Sequence, residues 1–115
     1  VPCPGLAGRI ERGNLAAADL REMIRGYVGS FAGTVGSVVL GCTHYPFVRT
    51  QIAEVLGGDV HFYDGGAGTA RQLRHRLGEC GLLADESHAG SVSFASSEDT
   101  PDELALYREF FEMEL

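Results

Sequence analysis

Between Val35 and Leu40 the chain carries no charge, and it then enters Gly41-Cys42-Thr43-His44-Tyr45-Pro46. Val38, Val39 and Leu40 suit a short buried strand, and the turn residues after them stop it. Pro46 suits the first turn of a helix, where its missing N–H would be unpaired anyway. Phe47/Val48, Ile52 and Val55/Leu56 then recur at helical spacing to about Leu56. A strand that passes through a tight turn into a helix is most of a βαβ unit, so this stretch directs the chain to an α/β fold.

The flanks repeat the alternation. Val1 to Gly8 is rich in Pro and Gly and reads as loop. Asn14 is the expected cap of a helix running to about Phe31, with Leu20, Ile24 and Tyr27/Val28 as its apolar stripe. Asp59 to Tyr63 is a second candidate strand. A helix over about Gly68 to Glu79 carries Ala70, Leu73 and Leu77 on one face and stops at Gly81. After a polar loop over Leu82 to Gly90, Ser91 to Ala95 alternates Val92 and Phe94 with serine, as a strand with one covered face would. Thr100-Pro101-Asp102-Glu103 reads as a capping box for a last helix striped by Leu104, Tyr107 and Phe110/Phe111. The expected fold class is therefore α/β, alternating strands and helices with a mostly parallel sheet.

Composition narrows the function. Hydrophobic residues are 44% and charged residues 22% of the 115, ordinary for a chain that folds around one modest core. The net charge of −7 argues against nucleic-acid and anionic-membrane surfaces. No apolar run is long enough to span a bilayer and the opening residues do not resemble a signal peptide, so a cytoplasmic location is expected unless something upstream directs otherwise. All nine basic residues are arginine. Without lysine, this segment can form neither a pyridoxal-phosphate Schiff base nor a Walker-type phosphate site. Cys3, Cys42 and Cys80 are widely spaced and odd in number, which disfavours a disulfide framework, and no Cys-x-x-Cys pair suggests a metal.

In parallel sheets, ligands bind beyond the carboxyl ends of strands, where loops lead into helices. Cys42 stands in such a loop. Exposed N–H groups and the positive end of the following helix would favour its thiolate. His44 is close enough in sequence to exchange a proton with that sulfur, and Thr43 offers a hydroxyl and an N–H to a carboxylate. Local chemistry leaves two readings open, a reactive thiol or a small core cysteine. A partial metal site at Cys42 and His44 lacks further ligands at suitable spacing.

Leu40-Gly41-Cys42-Thr43-His44-Tyr45-Pro46 resembles the second-cysteine signature of the glutamate racemases, in the aspartate/glutamate racemase family. Upstream, Cys3-Pro4 followed by Ile10-Glu11-Arg12-Gly13 is similar to that family's Cys-Pro segment and its glutamate. Downstream, Asp64-Gly65-Gly66 and Ala70-Arg71 resemble its Asp-Ser-Gly turn and helix, with Gly65 standing where the family has serine. Gly5-Leu6-Ala7-Gly8 is smaller than the family's apolar stretch. The family's first cysteine, within Cys-Asn-Thr, and its early Asp-Ser pair have no counterpart here, so the chain resembles the C-terminal half only.

The resemblance implies a two-domain racemase fold, in which residues 1–58 belong to the second domain and residues 59–115 return to complete the first. It implies cofactor-free, metal-free interconversion of L- and D-glutamate by two acid/base cysteines, supplying D-glutamate for peptidoglycan. Cys42 would be the thiol on the L-glutamate face, Thr43 would hold a substrate carboxylate, His44 would assist proton traffic, and Glu11 would set the protonation of that centre. Cys3 and Cys80 are read as structural or incidental, and Asp64 as a turn residue. The partner expected is a small-molecule substrate, with no nucleic acid and no membrane. The chain would need the missing N-terminal half, be inactive alone, and leave a homodimer open. The rivals are an aspartate or hydantoin racemase, and a non-catalytic binding or regulatory module that keeps the fold.

Overall fold

The computed structural model of the chain describes residues 1–98 and 100–113. Helices α1 (Leu6–Ile10) and α2 (Ala18–Val28) come first, and a 3₁₀ turn, Gly29–Phe31, closes the second. Strand β1 (Ser37–Val39) leads through the cysteine turn to a 3₁₀ turn, Tyr45–Val48, and then to α3 (Arg49–Leu56). Strand β2 (His61–Tyr63), α4 (Gly66–Glu79) and α5 (Pro101–Glu112) complete the order. The two strands pair in parallel, with Val38 opposite Phe62. Leu40 N donates to Tyr63 O at 2.8 Å, and His61 N to Gly36 O at 2.9 Å, so the ladder continues past both strand ends. The α/β class with a parallel sheet is as the sequence reading has it.

The core lies where α1, α2 and α3 meet the inner side of this sheet. Leu6, Ile10, Leu20, Ile24, Leu40, Val48, Ile52 and Leu56 are its buried residues. The stripes expected on α2 and α3 supply Leu20, Ile24, Ile52 and Leu56, all at 5% exposure or less. Burying a side chain of this size is worth about 1.5–3 kcal/mol, so these few contacts dominate the fold's stability. Gly57 at φ 68° ends α3, because a left-handed conformation there costs glycine little.

Among the described residues, one charged side chain is buried with this core. Arg9 is 7% exposed and grips Asp19 through two hydrogen bonds, Nε to Oδ2 at 2.6 Å and Nη2 to Oδ1 at 2.9 Å. Its Nη1 donates to Gly13 O at 2.8 Å. A guanidinium fork therefore joins α1, the turn after it and the start of α2. That turn carries Glu11.

Several expectations need correcting. Leu6 to Gly8, expected as loop, belong to the helix Leu6–Ile10, because Leu6 and Ile10, four apart, both face the core. Asn14 does not cap α2. It adopts φ 47°, within reach of Arg9, and the helix begins behind Ala17 with no side-chain cap. Val39 is 77% exposed, since one face of the two-stranded sheet has no cover among the described residues. Val38 and Leu40 turn inward, so the strand is half-buried and not buried throughout. Residues 91–95 form no strand. No described strand pairs with them, and Phe94 instead packs edge-on against Phe111 of α5 at 5.7 Å. Leu73 on α4 is 59% exposed, and that helix has no buried residue.

Candidate active site

The cysteine turn sits at the carboxyl end of β1. Its backbone tightens through Tyr45 N donating to Cys42 O at 3.3 Å and Phe47 N donating to His44 O at 3.2 Å. Pro46 falls within the 3₁₀ turn, and the α-helix proper starts only at Arg49. The helix N-terminus is thus further from Cys42 than its sequence position suggests, and the macrodipole acts weakly there because it fades within the first turn. Side chains do more.

His44 links the turn to the end of α1. Its Nε2 lies 2.8 Å from Glu11 Oε1, and its Nδ1 lies 3.8 Å from Cys42 Sγ and 3.3 Å from Thr43 Oγ1. A carboxylate at Nε2 keeps a proton on that nitrogen, which leaves Nδ1 of the neutral ring to accept from the thiol or the hydroxyl. Proton transfer from sulfur to Nδ1 would give a thiolate beside an imidazolium, with the Glu11 carboxylate balancing the new positive charge. All four residues singled out in the sequence, Glu11, Cys42, Thr43 and His44, therefore share one hydrogen-bonded array. Glu11 is 61% and His44 29% exposed, so solvent reaches the array from the Glu11 side.

Cys42 separates two cavities. One, of about 850 Å³, opens at the carboxyl ends of both strands between Gly41, Cys42, Thr43 and Asp64, Gly65 and Gly66. Asp64 Oδ1 accepts from Gly66 N at 2.7 Å and shapes the turn into α4, where Gly65 offers no side-chain cap. The other cavity, of about 520 Å³, contains Cys3, Tyr45 and Cys42 on the core side. Burial first, then repulsion of its phenolate by negative charge on the Cys3 and Cys42 sulfurs, pushes the Tyr45 hydroxyl up, so it stays protonated. Tyr45 has no role in the sequence reading, and Cys3, expected to be structural or incidental, lines the same wall and packs against the core. Cys80 is exposed at the end of α4.

A third cavity, of about 450 Å³, lies behind the array between His44, Glu11 and Thr43 on one side and Glu103 and Tyr107 of α5 on the other. Phe110 of α5 stacks on Phe47 at 4.6 Å and anchors the helix there. The capping box and apolar stripe read for α5 do not show this. The i, i+4 pair Glu103 and Tyr107 was the available signal. Among the described residues, no group of three or more His, Cys, Asp and Glu side chains is placed to hold a metal ion, and no helix is long and apolar enough to cross a membrane.

Comparison with known proteins bears on this site. No family model matches the chain. A glutamate racemase of Pseudomonas putida strain F1 is 48% identical over 99 residues, which covers 85% of this chain and 37% of that protein. Over most of its own length the chain is similar to glutamate racemases. The glutamate racemase of Clostridium botulinum strain Alaska E43 is 36% identical over 97% of the chain and 44% of its own length. In structure, the glutamate racemase of Francisella tularensis in complex with D-glutamate superposes with a TM-score of 0.74 at 25% identity, covering 99% of this chain and 43% of that one. The glutamate racemase of Thermus thermophilus in complex with β-chloro-D-alanine gives 0.70 at 28% identity. The chain spans about two fifths of the length of the glutamate racemases it matches.

Proposed function

We propose that this chain supplies one of the two acid/base thiols of a cofactor-independent glutamate racemase. The observation that carries the reading is the Glu11–His44–Cys42 array at the strand end, in a chain related to glutamate racemases over most of its length. The Cys42 thiolate removes the α-proton of L-glutamate, and a thiol outside this chain returns a proton to the opposite face. The reverse direction exchanges the two roles. No bond to the enzyme forms, and this is general acid–base catalysis.

The substrate occupies the cavity between Gly41–Thr43 and Asp64–Gly66. Thr43 holds a carboxylate there, and His44 relays the proton of Cys42 toward Glu11. Fixed donors around the α-carboxylate stabilise the carbanion-like intermediate once water is excluded. In this reading, residues 1–58 belong to the second domain and residues 59–115 cross back to the first. The exposed outer faces of Val39, Tyr63 and Leu73 suit a fold completed by further chain. The product serves peptidoglycan synthesis, and the chain alone racemises little or nothing.

The test is a substrate screen on a chimera in which this chain replaces the matching part of the Pseudomonas putida enzyme. Racemisation of glutamate, with aspartate and hydantoins turned over at least 100-fold more slowly, supports the reading. A folded chimera inert toward all three contradicts it and favours a binding module.

A further inference from the structure

The capping box expected at α5 forms only by half. Glu103 N donates to Thr100 Oγ1 at 3.3 Å, as a cap requires. The Glu103 carboxylate does not return to the cap. Its Oε1 accepts from Tyr107 OH at 2.5 Å and from Ser96 Oγ at 2.8 Å, while Oε2 is buried with no partner among the described residues. A carboxylate drawn away from its local role and left half-satisfied calls for a reason, because an unpaired buried oxygen is costly.

The cavity behind the catalytic turn supplies one. Glu103 and Tyr107 face it from α5, and Glu11, Thr43 and His44 face it from the other side. Phe110 fixes the helix against Phe47, three residues beyond His44. At the other end, the Leu106 side chain lies so close to Gly13, two residues beyond Glu11, that a Cβ there would stand 3.3 Å from it. The helix is thus held at both arms of the Glu11–His44 pair. His44 lines this cavity together with Glu103, and Cys42 does not. The ionisable groups around His44 are Glu11 from the end of α1, Cys42 from its own turn, and Glu103 and Tyr107 from α5.

We propose that Glu103, clamped by Tyr107 and Ser96, is a positioning residue that acts through His44: its carboxylate favours the imidazolium, which in turn stabilises the Cys42 thiolate. The hydrogen bonds from Tyr107 and Ser96 hold the Glu103 carboxyl below its ordinary range, so the charge is present throughout neutral pH. A negative charge nearer to the imidazole than to the sulfur stabilises the pair more than it repels the thiolate. The proposal rests on the reading of Cys42 as an acid/base thiol, and thiol alkylation distinguishes the failure of one from the failure of the other.

The experiment measures iodoacetamide labelling of each cysteine in the full chain by peptide mass spectrometry from pH 5 to 9. Glu103→Gln keeps the size and the acceptor oxygen but removes the charge. It is expected to slow Cys42 about fivefold at pH 7 and displace its rate–pH curve toward higher pH, with Cys3 and Cys80 unchanged. Tyr107→Phe, which loosens the clamp and keeps the charge, slows Cys42 about twofold. Glu109→Gln removes an equal charge from the exposed face of the same helix and changes nothing. Mere damage to packing would speed the half-buried Cys3, and the Tyr107→Phe result then decides. Curves for Cys42 that superimpose in the parent, Glu103→Gln and Tyr107→Phe chains overturn the proposal while leaving the thiol reading intact. A parent Cys42 no faster than Cys80 overturns both.

Discussion

Glu11 and His44, thirty-three residues apart, meet at 2.8 Å because Arg9 fixes the turn after α1 while the strand end fixes the cysteine turn. The first is an induced position: Arg9 ties Gly13 to Asp19, and Glu11 lies inside that clamp. The second follows from the ladder, since Leu40 N bonds Tyr63 O immediately before Gly41. The dyad therefore joins two turns, each tied to the core elements beside it.

Breaking that dyad should impair chemistry and spare binding. In the chimera, His44→Asn is expected to lower kcat about 100-fold, within the range for loss of a general acid–base group, and Glu11→Gln about tenfold. KM for glutamate changes less than about threefold in either. Steady-state kinetics in both directions check this. A rise in KM at constant kcat would assign His44 to substrate binding instead.

The Arg9–Asp19 clamp makes stability depend on pH. The Arg9 hydrogen bonds hold the Asp19 carboxyl at about 2, against an ordinary 3.8. Between those values the unfolded chain binds more protons, so the contribution is complete above about pH 4 and is lost as pH falls toward 2. Urea midpoints at pH 7 and pH 3 should converge in Asp19→Asn relative to the parent. An undiminished gap would place the acid sensitivity elsewhere.

Burial separates two apolar residues that sequence pattern treats alike. Ile24 is 1% exposed and Val39 77%. Ile24→Ala should cost about 2–5 kcal/mol and Val39→Ala less than about 0.5 kcal/mol in denaturant titrations of the chain. Equal costs would mean that the outer face of β1 is covered in solution.

How much of this was legible in the sequence depends on range. The apolar stripes of α2 and α3, and the strand that delivers Cys42 to a loop, follow from local periodicity, and Leu20, Ile24, Ile52 and Leu56 lie where that periodicity puts them. The meeting of Glu11 with His44 does not follow from spacing, and only the family resemblance nominated Glu11. The α1 helix was hidden because Pro and Gly around Leu6 outweigh a single pair of core contacts. The strand over residues 91–95 was inferred from alternation, but alternation without a neighbouring ladder leaves Val92 exposed and Phe94 free to pack on Phe111. The role of Glu103 was masked by a capping motif that the sequence satisfies and the structure half uses.

The central claim is that Cys42 handles the α-proton of L-glutamate, and deuterium uptake at the α-carbon tests it most directly. In heavy water, the chimera should exchange the α-proton of both isomers, and Cys42→Ser should abolish exchange from L-glutamate by at least 100-fold while leaving measurable exchange from D-glutamate. Unimpaired exchange from L-glutamate in a folded Cys42→Ser chimera would contradict the account.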